Sequence, residues 1–471
     1  MSLPRYERPI LVRHQMGMMN KFSRTQASKP ISAIDGVSVR QLVETYGSPL
    51  FVFSEKTLIS RFRELRDAVS LRYPKVRLAW SYKTNYLSSI CGVFHREGAW
   101  AEVVSEFEYD KARAAGIPGS RIHFNGPFKP AGALRKALSE KAILHIDHFD
   151  ELALAEKIAK ELGLTPDVAI RINLATDGTP QWSRFGFNLE SGQARDAAKR
   201  IRSGGVLQLA GLHCHLGTFI QDPDVYRQAT TKLAQFANQL LADDNIILNF
   251  LDIGGGIAST NTLHAQYLPG EQATPPLSRY AEAMADGLSH LQYDSDSLPT
   301  LVLESGRALV DEAGYLISTV HANKRLPDRR RGLVIDAGVN LLFTAFWYKH
   351  DVVPAQEFGT VTEPTVIYGP LCMNIDVMRD TILFPPMKTG DLLVFKNVGA
   401  YNVTQWMQFI TYRPAVVLIS PTGQHAIIRR AETLETIQGQ EELAPWLPAP
   451  ATPNGTNQAT RGPLSREVEK E

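Results

Sequence analysis

Residues 142–163 read AILHIDHFDELALAEKIAKELG, an apolar run followed by a segment of helical period. The run Ala142–His148 predicts a short buried strand. In Phe149–Leu162 apolar residues recur at helical spacing, and Gly163 supplies a C-terminal stop. The stretch therefore predicts one strand followed by one helix.

The same alternation recurs between about residues 77 and 307. Repeated strand–helix units predict a parallel sheet with crossover helices, and eight strands suggest closure into a (β/α)8 barrel. An open, doubly wound sheet is the alternative that spacing alone leaves open. The predicted strands are Arg77–Lys83, Trp100–Ser105, Ile122–Gly126, Ala142–His148, Val168–Leu174, Leu209–Gly217, Asn249–Gly256 and Leu301–Arg307.

Chemistry at the strand ends favours the barrel. Polar residues and glycines cluster at the C-terminal ends of the runs, which is where barrel enzymes place their active sites. They are Lys83, Ser105, His215, Gly254–Gly256 and Arg307.

After about residue 310 the pattern changes to short strand-like runs separated by turns, which predicts a second, mainly β-sheet domain. Five such runs are Leu333–Asn340, Thr365–Gly369, Leu392–Asn397, Ala415–Ser420 and Ala426–Arg430. The predicted division is an N-terminal arm with part of the β domain (1–47), the barrel (48–310), the β domain (311–443) and a disordered tail (444–471), whose composition is rich in proline.

Composition excludes several classes of protein. Apolar residues make up 44% of the 471-residue chain and charged residues 21%, as in ordinary globular proteins. The net charge of +1 gives no reason to expect a nucleic-acid or acidic-membrane partner, and no apolar run is long enough to span a bilayer. The chain has 3 cysteines and no CxxC pair, so we expect a reducing, cytoplasmic setting.

Lys83, in SYKTN, ends a predicted strand. A lysine there is most often a surface cation. In a partly desolvated pocket it would lose its proton more easily and form a Schiff base with an aldehyde cofactor or a carbonyl substrate.

His213 and His215 alternate on one strand, and three interpretations are open. They could share a metal, although no third ligand has convincing spacing and we expect no metal. They could be packed core histidines. His215 could instead stack on a flat ring in the barrel mouth, with Gly217 and Thr218 offering an amide and a hydroxyl to an anion.

Two further motifs end predicted strands. Asp252-Ile253-Gly254-Gly255-Gly256 is either a tight turn or a nest of amides for phosphate, and it lacks the dinucleotide-binding GxGxxG pattern. Glu304-Ser305-Gly306-Arg307 is either a solvated ion pair or a functional pair. In the functional interpretation Arg307 binds a phosphate or carboxylate, while Glu304 keeps a pyridine nitrogen protonated.

The β domain contributes two candidates. Cys372, in GPLCMNID, is either a small buried hydrophobe or a proton donor beside a cationic cofactor. Tyr401, in GAYN, is either a packed turn residue or a hydroxyl that reaches a phosphate.

Together these motifs resemble the alanine-racemase-fold (fold type III) pyridoxal-phosphate decarboxylases, the group of diaminopimelate, ornithine and biosynthetic arginine decarboxylases. The similarity runs from about residue 48 to residue 420. It rests on SYKTN, HCHLGT, DIGGGI, ESGR, GPLCMNID and GAYN in the family order.

The resemblance implies a pyridoxal 5'-phosphate cofactor held covalently by Lys83, with His215 on the pyridine face and Glu304 at the ring nitrogen. The phosphate end would be lined by Thr218, Gly254, Gly255, Gly256, Arg307 and Tyr401. Arg307, Tyr348 and Asp376 would bind substrate. Cys372 and Asp376 would reach the site of the other subunit, which implies a homodimer with shared sites, where Cys372 protonates the product carbanion.

The implied reaction is loss of an amino acid's α-carboxylate as CO2. Two departures bear on the substrate: Met373 stands where diaminopimelate decarboxylases usually carry glutamate, and Thr344 where they commonly carry arginine, while Tyr348 is retained. We therefore expect a specialised biosynthetic pathway rather than lysine synthesis. The alternatives are diaminopimelate decarboxylation proper and a racemase or epimerase on the same cofactor.

Overall fold

A computed structural model describes residues 29–358 and 361–448. The strands, numbered in chain order, are β1 (Ala33–Ile34), β2 (Val37–Ser38), β3 (Leu50–Ser54), β4 (Val76–Ser81), β5 (Trp100–Val103), β6 (Ile122–Phe124), β7 (Ile143–Ile146), β8 (Asp167–Asn173), β9 (Phe187–Asn188), β10 (Gln208–Cys214), β11 (Phe250–Asp252), β12 (Thr300–Leu303), β13 (Gly314–Arg325), β14 (Arg331–Ile335), β15 (Val352–Pro354), β16 (Glu363–Tyr368), β17 (Val377–Phe384), β18 (Leu392–Lys396), β19 (Val416–Ile419) and β20 (His425–Arg429).

The α-helices are α1 (Val39–Tyr46), α2 (Glu55–Ser70), α3 (Ser88–Arg96), α4 (Glu106–Ala114), α5 (Ala131–Ser139), α6 (Phe149–Leu162), α7 (Gln193–Gly204), α8 (Asp224–Asp244), α9 (Gly270–Ala273), α10 (Leu277–Leu288), α11 (Arg307–Val310) and α12 (Leu434–Gln438). Within the described ranges no helix is long and apolar enough to cross a membrane.

Eight parallel strands form a closed barrel in the order β4-β5-β6-β7-β8-β10-β11-β12. Pairing of β12 with β4 and of β8 with β10 closes it, and short β9 adds to β8. All eight predicted runs supply a barrel strand, so the predicted barrel is confirmed and the open sheet is excluded.

The helix α6 shows how the sequence specifies each unit. Nδ1 of His148 accepts a hydrogen bond from the backbone N–H of Glu151 and caps the first turn, and Gly163 ends the helix with φ 64°. Leu152 and Ile158 lie on its buried face, and each contributes on the order of 2 kcal/mol by burial. The predicted helix has these bounds.

The second sheet has nine strands, with a path β17-β16-β14-β13-β3-β19-β20 and with β18 joining β13 to β15. It forms the predicted, mainly β-sheet domain. One element lies elsewhere than expected: β3 pairs antiparallel with β13 and parallel with β19, so Leu50–Ser54 belongs to this sheet and not to the barrel that we predicted to begin at residue 48.

Residues 432–448 belong to a separate small unit. It contains α12, which begins at a capping box formed by Thr433 and Thr436. The predicted arm lies outside the described residues over 1–28, and the predicted disordered tail does so from residue 449. The remaining domain boundaries stay predictions.

Candidate active site

A cavity of about 610 Å³ opens where the barrel strands end, and the second domain contributes part of its wall. Barrel enzymes place their active sites at this end of the strands. The cavity brings together eight of the predicted site residues: Lys83, His215, Thr218, Gly256, Glu304, Arg307, Tyr348 and Tyr401.

Lys83 lies on the 3-10 turn Tyr82–Thr84 that directly follows β4. Its Nζ donates to Oε2 of Glu102 at 2.6 Å. Burial lowers the pKa of Lys83, but the carboxylates of Glu102 and Glu304 outweigh burial, so that the pKa is raised. Desolvation acts on this amine in the expected direction, but the two carboxylates outweigh it and favour the ammonium form of Lys83.

Glu102 is a fully buried acid on β5 that the sequence analysis missed. Its Oε2 also accepts from the Ser81 hydroxyl at 2.6 Å. Burial raises the pKa of Glu102, while Lys83 opposes that change. A carboxylate this close to a lysine is placed to exchange a proton with it. Its signal in the sequence was a single acid inside the apolar run Trp100–Ser105.

Glu304 follows β12 and is almost completely buried. The side-chain amide of Asn125 donates to both of its oxygens at 3.2 Å. Nε2 of His213 lies 3.3 Å from Oε2 of Glu304. These contacts hold the carboxylate in one orientation at the edge of the cavity.

His215 follows β10, and its Nδ1 accepts a hydrogen bond from the backbone N–H of Gly255 at 3.1 Å. The imidazole therefore carries its proton on Nε2. Burial, together with the charges of Lys83 and Arg171, lowers the pKa of His215 well below its usual value, so the ring is neutral. His213 and His215 engage different partners and not a common point.

The glycine run after β11 makes a close backbone cradle. A Cβ on Gly254, which has φ 65°, would come within 2.6 Å of His215 Nδ1. A Cβ on Gly255 would meet the backbone oxygen of Glu304 at 2.4 Å, and one on Gly256 would meet that of Gly217 at 2.5 Å. The run therefore requires glycine for its close approach to β10 and β12.

Arg307 begins α11 and is surrounded by aromatic rings. Its guanidinium carbon lies 4.9 Å from the ring centroid of Tyr401, 5.0 Å from that of Tyr348 and 5.7 Å from that of Phe219. Its Nη1 is 3.5 Å from Asp311 Oδ2. An arginine that is buried and stacked in this way is suited to bind an anion in fixed geometry.

Four predicted residues do not line the cavity: Gly254, Gly255, Cys372 and Asp376. The two glycines lie behind it, as described above. Cys372 is exposed. Asp376 is buried, and its two oxygens accept the backbone N–H groups of Val339 and Leu371 at 2.8 Å, so that it braces its own loop. Their reach into a partner's site stays a prediction.

Thr344 does not face the cavity. It is buried, and its hydroxyl lies 2.8 Å from Nε2 of His350 and 2.8 Å from Oδ1 of Asn402. It is therefore a core hydrogen-bonding residue.

Several cavity residues were not predicted from the sequence. Arg171, on β8, stacks on Phe185 at 4.5 Å and lies 3.8 Å from Asp147. The indole of Trp182 lies 5.5 Å from the His215 ring. The signals available were a basic residue inside the run Val168–Leu174 and the aromatic residues of the loop after it.

The residues present fit pyridoxal phosphate. A lysine and a buried carboxylate face one cavity, and Gly256 lines it at the end of a glycine run that passes too close to its neighbours to carry side chains. Two buried polar atoms in the cavity wall, Thr84 Oγ1 and Arg307 Nε, have no hydrogen-bond partner among the described residues. Unsatisfied donors at such a site are available to an anionic ligand.

Comparison with known proteins agrees with this site. Residues 55–311 match the family model described as pyridoxal-dependent decarboxylase, pyridoxal binding domain. Diaminopimelate decarboxylase of Bacillus subtilis is 31% identical over 418 residues, which cover 86% of this chain and 93% of that protein. The corresponding enzyme of Methanocaldococcus jannaschii is 29% identical, and the match covers 88% of this chain and 95% of that protein.

Solved structures give the same result. The crystal structure of diaminopimelate decarboxylase from M. jannaschii superposes with a TM-score of 0.81 at 28% identity, covering 89% of this chain and 98% of that chain. That of the Helicobacter pylori enzyme, complexed with L-lysine, gives 0.76 at 26% identity, covering 85% and 98%.

The chain belongs to the pyridoxal-dependent decarboxylase family. It is a pyridoxal-phosphate-dependent lyase that decarboxylates an amino acid.

Proposed function

We propose that the substrate is an amino acid whose side chain ends in an anionic group, and that Arg307 binds this group together with Tyr348. The observation that carries the proposal is the buried position of Arg307 in the cavity wall, between aromatic rings and with Nε unpaired among the described residues. The other charged groups of the wall are Lys83, Arg171 and Glu304. Although Asp311 lies 3.5 Å from its Nη1, the Nε of Arg307 has no partner among the described residues and can bind an anionic group.

Lys83 would hold the cofactor, with Glu304 at its ring nitrogen and His215 on its pyridine face. Gly254, Gly255, Gly256, Thr218 and Tyr401 would line its phosphate end. The resemblance places Arg307 there as well, and in this proposal Arg307 binds the side chain of the substrate instead. When bound, pyridoxal phosphate supplies an electron sink for the electron pair left on Cα as CO2 departs.

Protein groups supply the remaining work. Asn125 and His213 orient the Glu304 carboxylate. Glu102, in contact with Lys83, favours its ammonium form, so this proton has to leave before the amine reacts. Trp182 and Phe185 in the cavity wall limit the access of water.

Within this class, meso-diaminopimelate is the first candidate because it is the substrate named in the relatives. The expectation of a specialised pathway receives no support from those names. A substrate without a distal amine is the second candidate, and it is favoured by Met373, which stands where the resemblance expects the glutamate that meets that amine.

We also propose a homodimer with shared sites, in which Cys372 donates the proton that replaces the carboxylate. Its exposed position near the exposed Ile375 supports this placement. A cytoplasmic location and the absence of a nucleic-acid partner stay predictions.

Three substrates test the proposal by CO2 release from the cofactor-loaded protein. These are meso-diaminopimelate, L-2-aminopimelate (which lacks the distal amine) and L-lysine (which lacks the distal carboxylate). Both dicarboxylates are expected to exceed L-lysine in kcat/KM by about tenfold or more, the loss of roughly one charged hydrogen bond. A preference for L-lysine would refute the anionic class. The ratio between the two dicarboxylates decides between the candidates.

A further inference from the structure

A column of buried polar side chains lies inside the barrel beneath Glu304. His123 on β6, His145 on β7, His213 on β10 and Asp252 on β11 are all completely buried. Barrel interiors are normally filled by branched aliphatic side chains. Because a buried polar group is costly unless it has a partner, four such groups together require an explanation.

His145 is the central member of this column. Its Nδ1 lies 3.9 Å from Oε1 of Glu304, and its Nε2 lies 4.0 Å from Oδ2 of Asp252. The same Nε2 lies 2.9 Å from Nδ1 of His123, a hydrogen-bond distance. His145 therefore connects the acid of the active site to the interior of the barrel.

The protonation of the column follows from burial. Desolvation lowers the pKa of His123 to about 3 and the pKa values of His145 and His213 well below their usual range, so all three rings are neutral. Burial, reinforced by the charge of Glu304, raises the pKa of Asp252 well above its usual value.

A neutral imidazole has one donor and one acceptor nitrogen. A carboxylate only accepts, so the proton of His145 belongs on Nδ1, facing Glu304. Nε2 of His145 then accepts the Nδ1–H of His123. This arrangement leaves Nε2 of His123 as an acceptor, and that atom has no partner among the described residues.

We infer that His145, supported by His123, is a positioning residue for Glu304. Its Nδ1 lies 3.9 Å from Oε1 of Glu304 and has no hydrogen-bond partner among the described residues, so its N–H dipole acts on the carboxylate at longer range, in an interior where such interactions are strong. It thereby helps to hold the Glu304 carboxylate in the orientation in which it can pair with the ring nitrogen. The inference rests on the proposed function in one respect, the pairing of Glu304 with that nitrogen.

Reconstitution with pyridoxal phosphate labelled with 15N in the ring tests the inference, because the nitrogen chemical shift reports whether the ring nitrogen is protonated. We expect the wild type and His145→Asn, whose amide keeps a donor toward Glu304, to give the protonated signal. His145→Leu is expected to move it toward neutral pyridine. It should also lower kcat about tenfold, equivalent to about 1.4 kcal/mol, with KM changed less than about twofold.

Phe250→Leu is the packing control, because Phe250 contacts both His123 and His145 without a hydrogen bond. It should keep the protonated signal. His145→Gln, whose amide extends toward Asp252, should behave as His145→Leu and replaces it if the leucine variant does not fold.

Three results would overturn the inference. The first is a protonated signal and a normal kcat in both His145→Leu and His145→Gln. If Glu304→Gln changes the signal in the same experiment, this result refutes the role of His145 but not that of Glu304. A protonated signal in Glu304→Gln would remove the role of Glu304 in the proposed function as well. Stoichiometric zinc in the purified protein, lost in His123→Ala, would show that the histidine nitrogens bind metal instead.

Discussion

Nζ of Lys83 lies 2.6 Å from Oε2 of Glu102, a buried carboxylate. Lysine reacts with an aldehyde as the free amine, and this contact favours the ammonium. Lys83 therefore keeps its proton while it contacts Glu102, and this proton has to leave before the cofactor can be bound covalently. The protonation of Lys83 therefore depends on Glu102 of β5 as well as on the turn that carries the lysine.

Glu102→Gln should accelerate covalent binding of pyridoxal phosphate to the cofactor-free protein at pH 7. Removal of the carboxylate lowers the pKa of Lys83, and each unit of change gives about tenfold more free amine. The measurement is the rate of appearance of the visible band that borohydride bleaches. Glu106→Gln, at an exposed position of α4, should leave the rate unchanged. Equal rates for Glu102→Gln and wild type between pH 7 and 9 would contradict the role of Glu102. Lys83→Ala should show no such band.

Gly255→Ala should weaken binding of the cofactor. The added Cβ would lie 2.4 Å from the backbone oxygen of Glu304, so β12 or the cradle must shift. A displacement of this kind costs about 1–3 kcal/mol of free energy. The dissociation constant of pyridoxal phosphate should therefore rise at least several-fold, as measured by fluorescence titration. Gly92→Ala, inside α3 with open space around its Cα, is the control and should raise stability by up to about 1 kcal/mol without affecting binding.

The barrel could be predicted from the sequence because its strands are buried on both faces and appear as continuous apolar runs. The 12-residue strand Gly314–Arg325 escaped prediction since its last five residues are exposed and polar. Leu50–Ser54 has the composition of a barrel strand, and only long-range pairing assigns it to the other sheet.

The residues in and around the cavity also fall into those that the sequence predicted and those that it did not. Lys83, Glu304 and the glycines stand at strand ends in recognisable motifs. Glu102, His123 and His145 lie inside strands, where a single polar residue resembles an outward-facing position. Their contacts with the site depend on which strands are neighbours around the barrel, which a local pattern does not contain.

Arg307→Met should impair recognition of the side chain more than retention of the cofactor. Loss of the guanidinium removes a charge-assisted hydrogen bond, so KM for the anionic substrate should rise by about tenfold or more. Steady-state CO2 release measures this, and absorbance at saturating pyridoxal phosphate shows whether the cofactor is retained. Arg279→Met, at an exposed residue of α10, is the matched control. An unchanged KM in Arg307→Met would assign the anion to another residue.

Mixing Lys83→Ala with Cys372→Ala should restore activity if sites are shared between subunits. In a heterodimer one of the two sites holds both an intact Lys83 and an intact Cys372 from opposite chains. Random exchange of subunits then gives about a quarter of wild-type activity. The assay is formation of the amine product before and after exchange, because Cys372 acts after CO2 has left. If Cys372 served the site of its own chain, the mixture would be as inactive as the separate variants.

Glu108 gives the protein a pH-dependent stability with a definite sign. Burial, reinforced by the charge of Glu102, raises the pKa of Glu108 from 4.5 to about 7, although the backbone N–H of Val104 donates to it at 2.8 Å. The folded state therefore binds this proton more tightly than the unfolded state. Its contribution to stability is fully present below about pH 4.5 and is lost as the pH rises through about 7.

Glu108→Gln keeps an acceptor for Val104 but does not titrate. The free energy of unfolding of the variant relative to wild type should therefore rise by about 2 kcal/mol between pH 5 and pH 8. If the substitution also alters the cap of α4, it changes the free energy of unfolding by the same amount at both pH values. The expected change between the two pH values is then unaffected. Urea unfolding at the two pH values measures it, with Glu106→Gln as the exposed control whose difference from wild type should stay level. If the difference between Glu108→Gln and wild type is the same at both pH values, Glu108 is already ionised at pH 5. Glu102 and Glu108 would then both be charged in the folded protein.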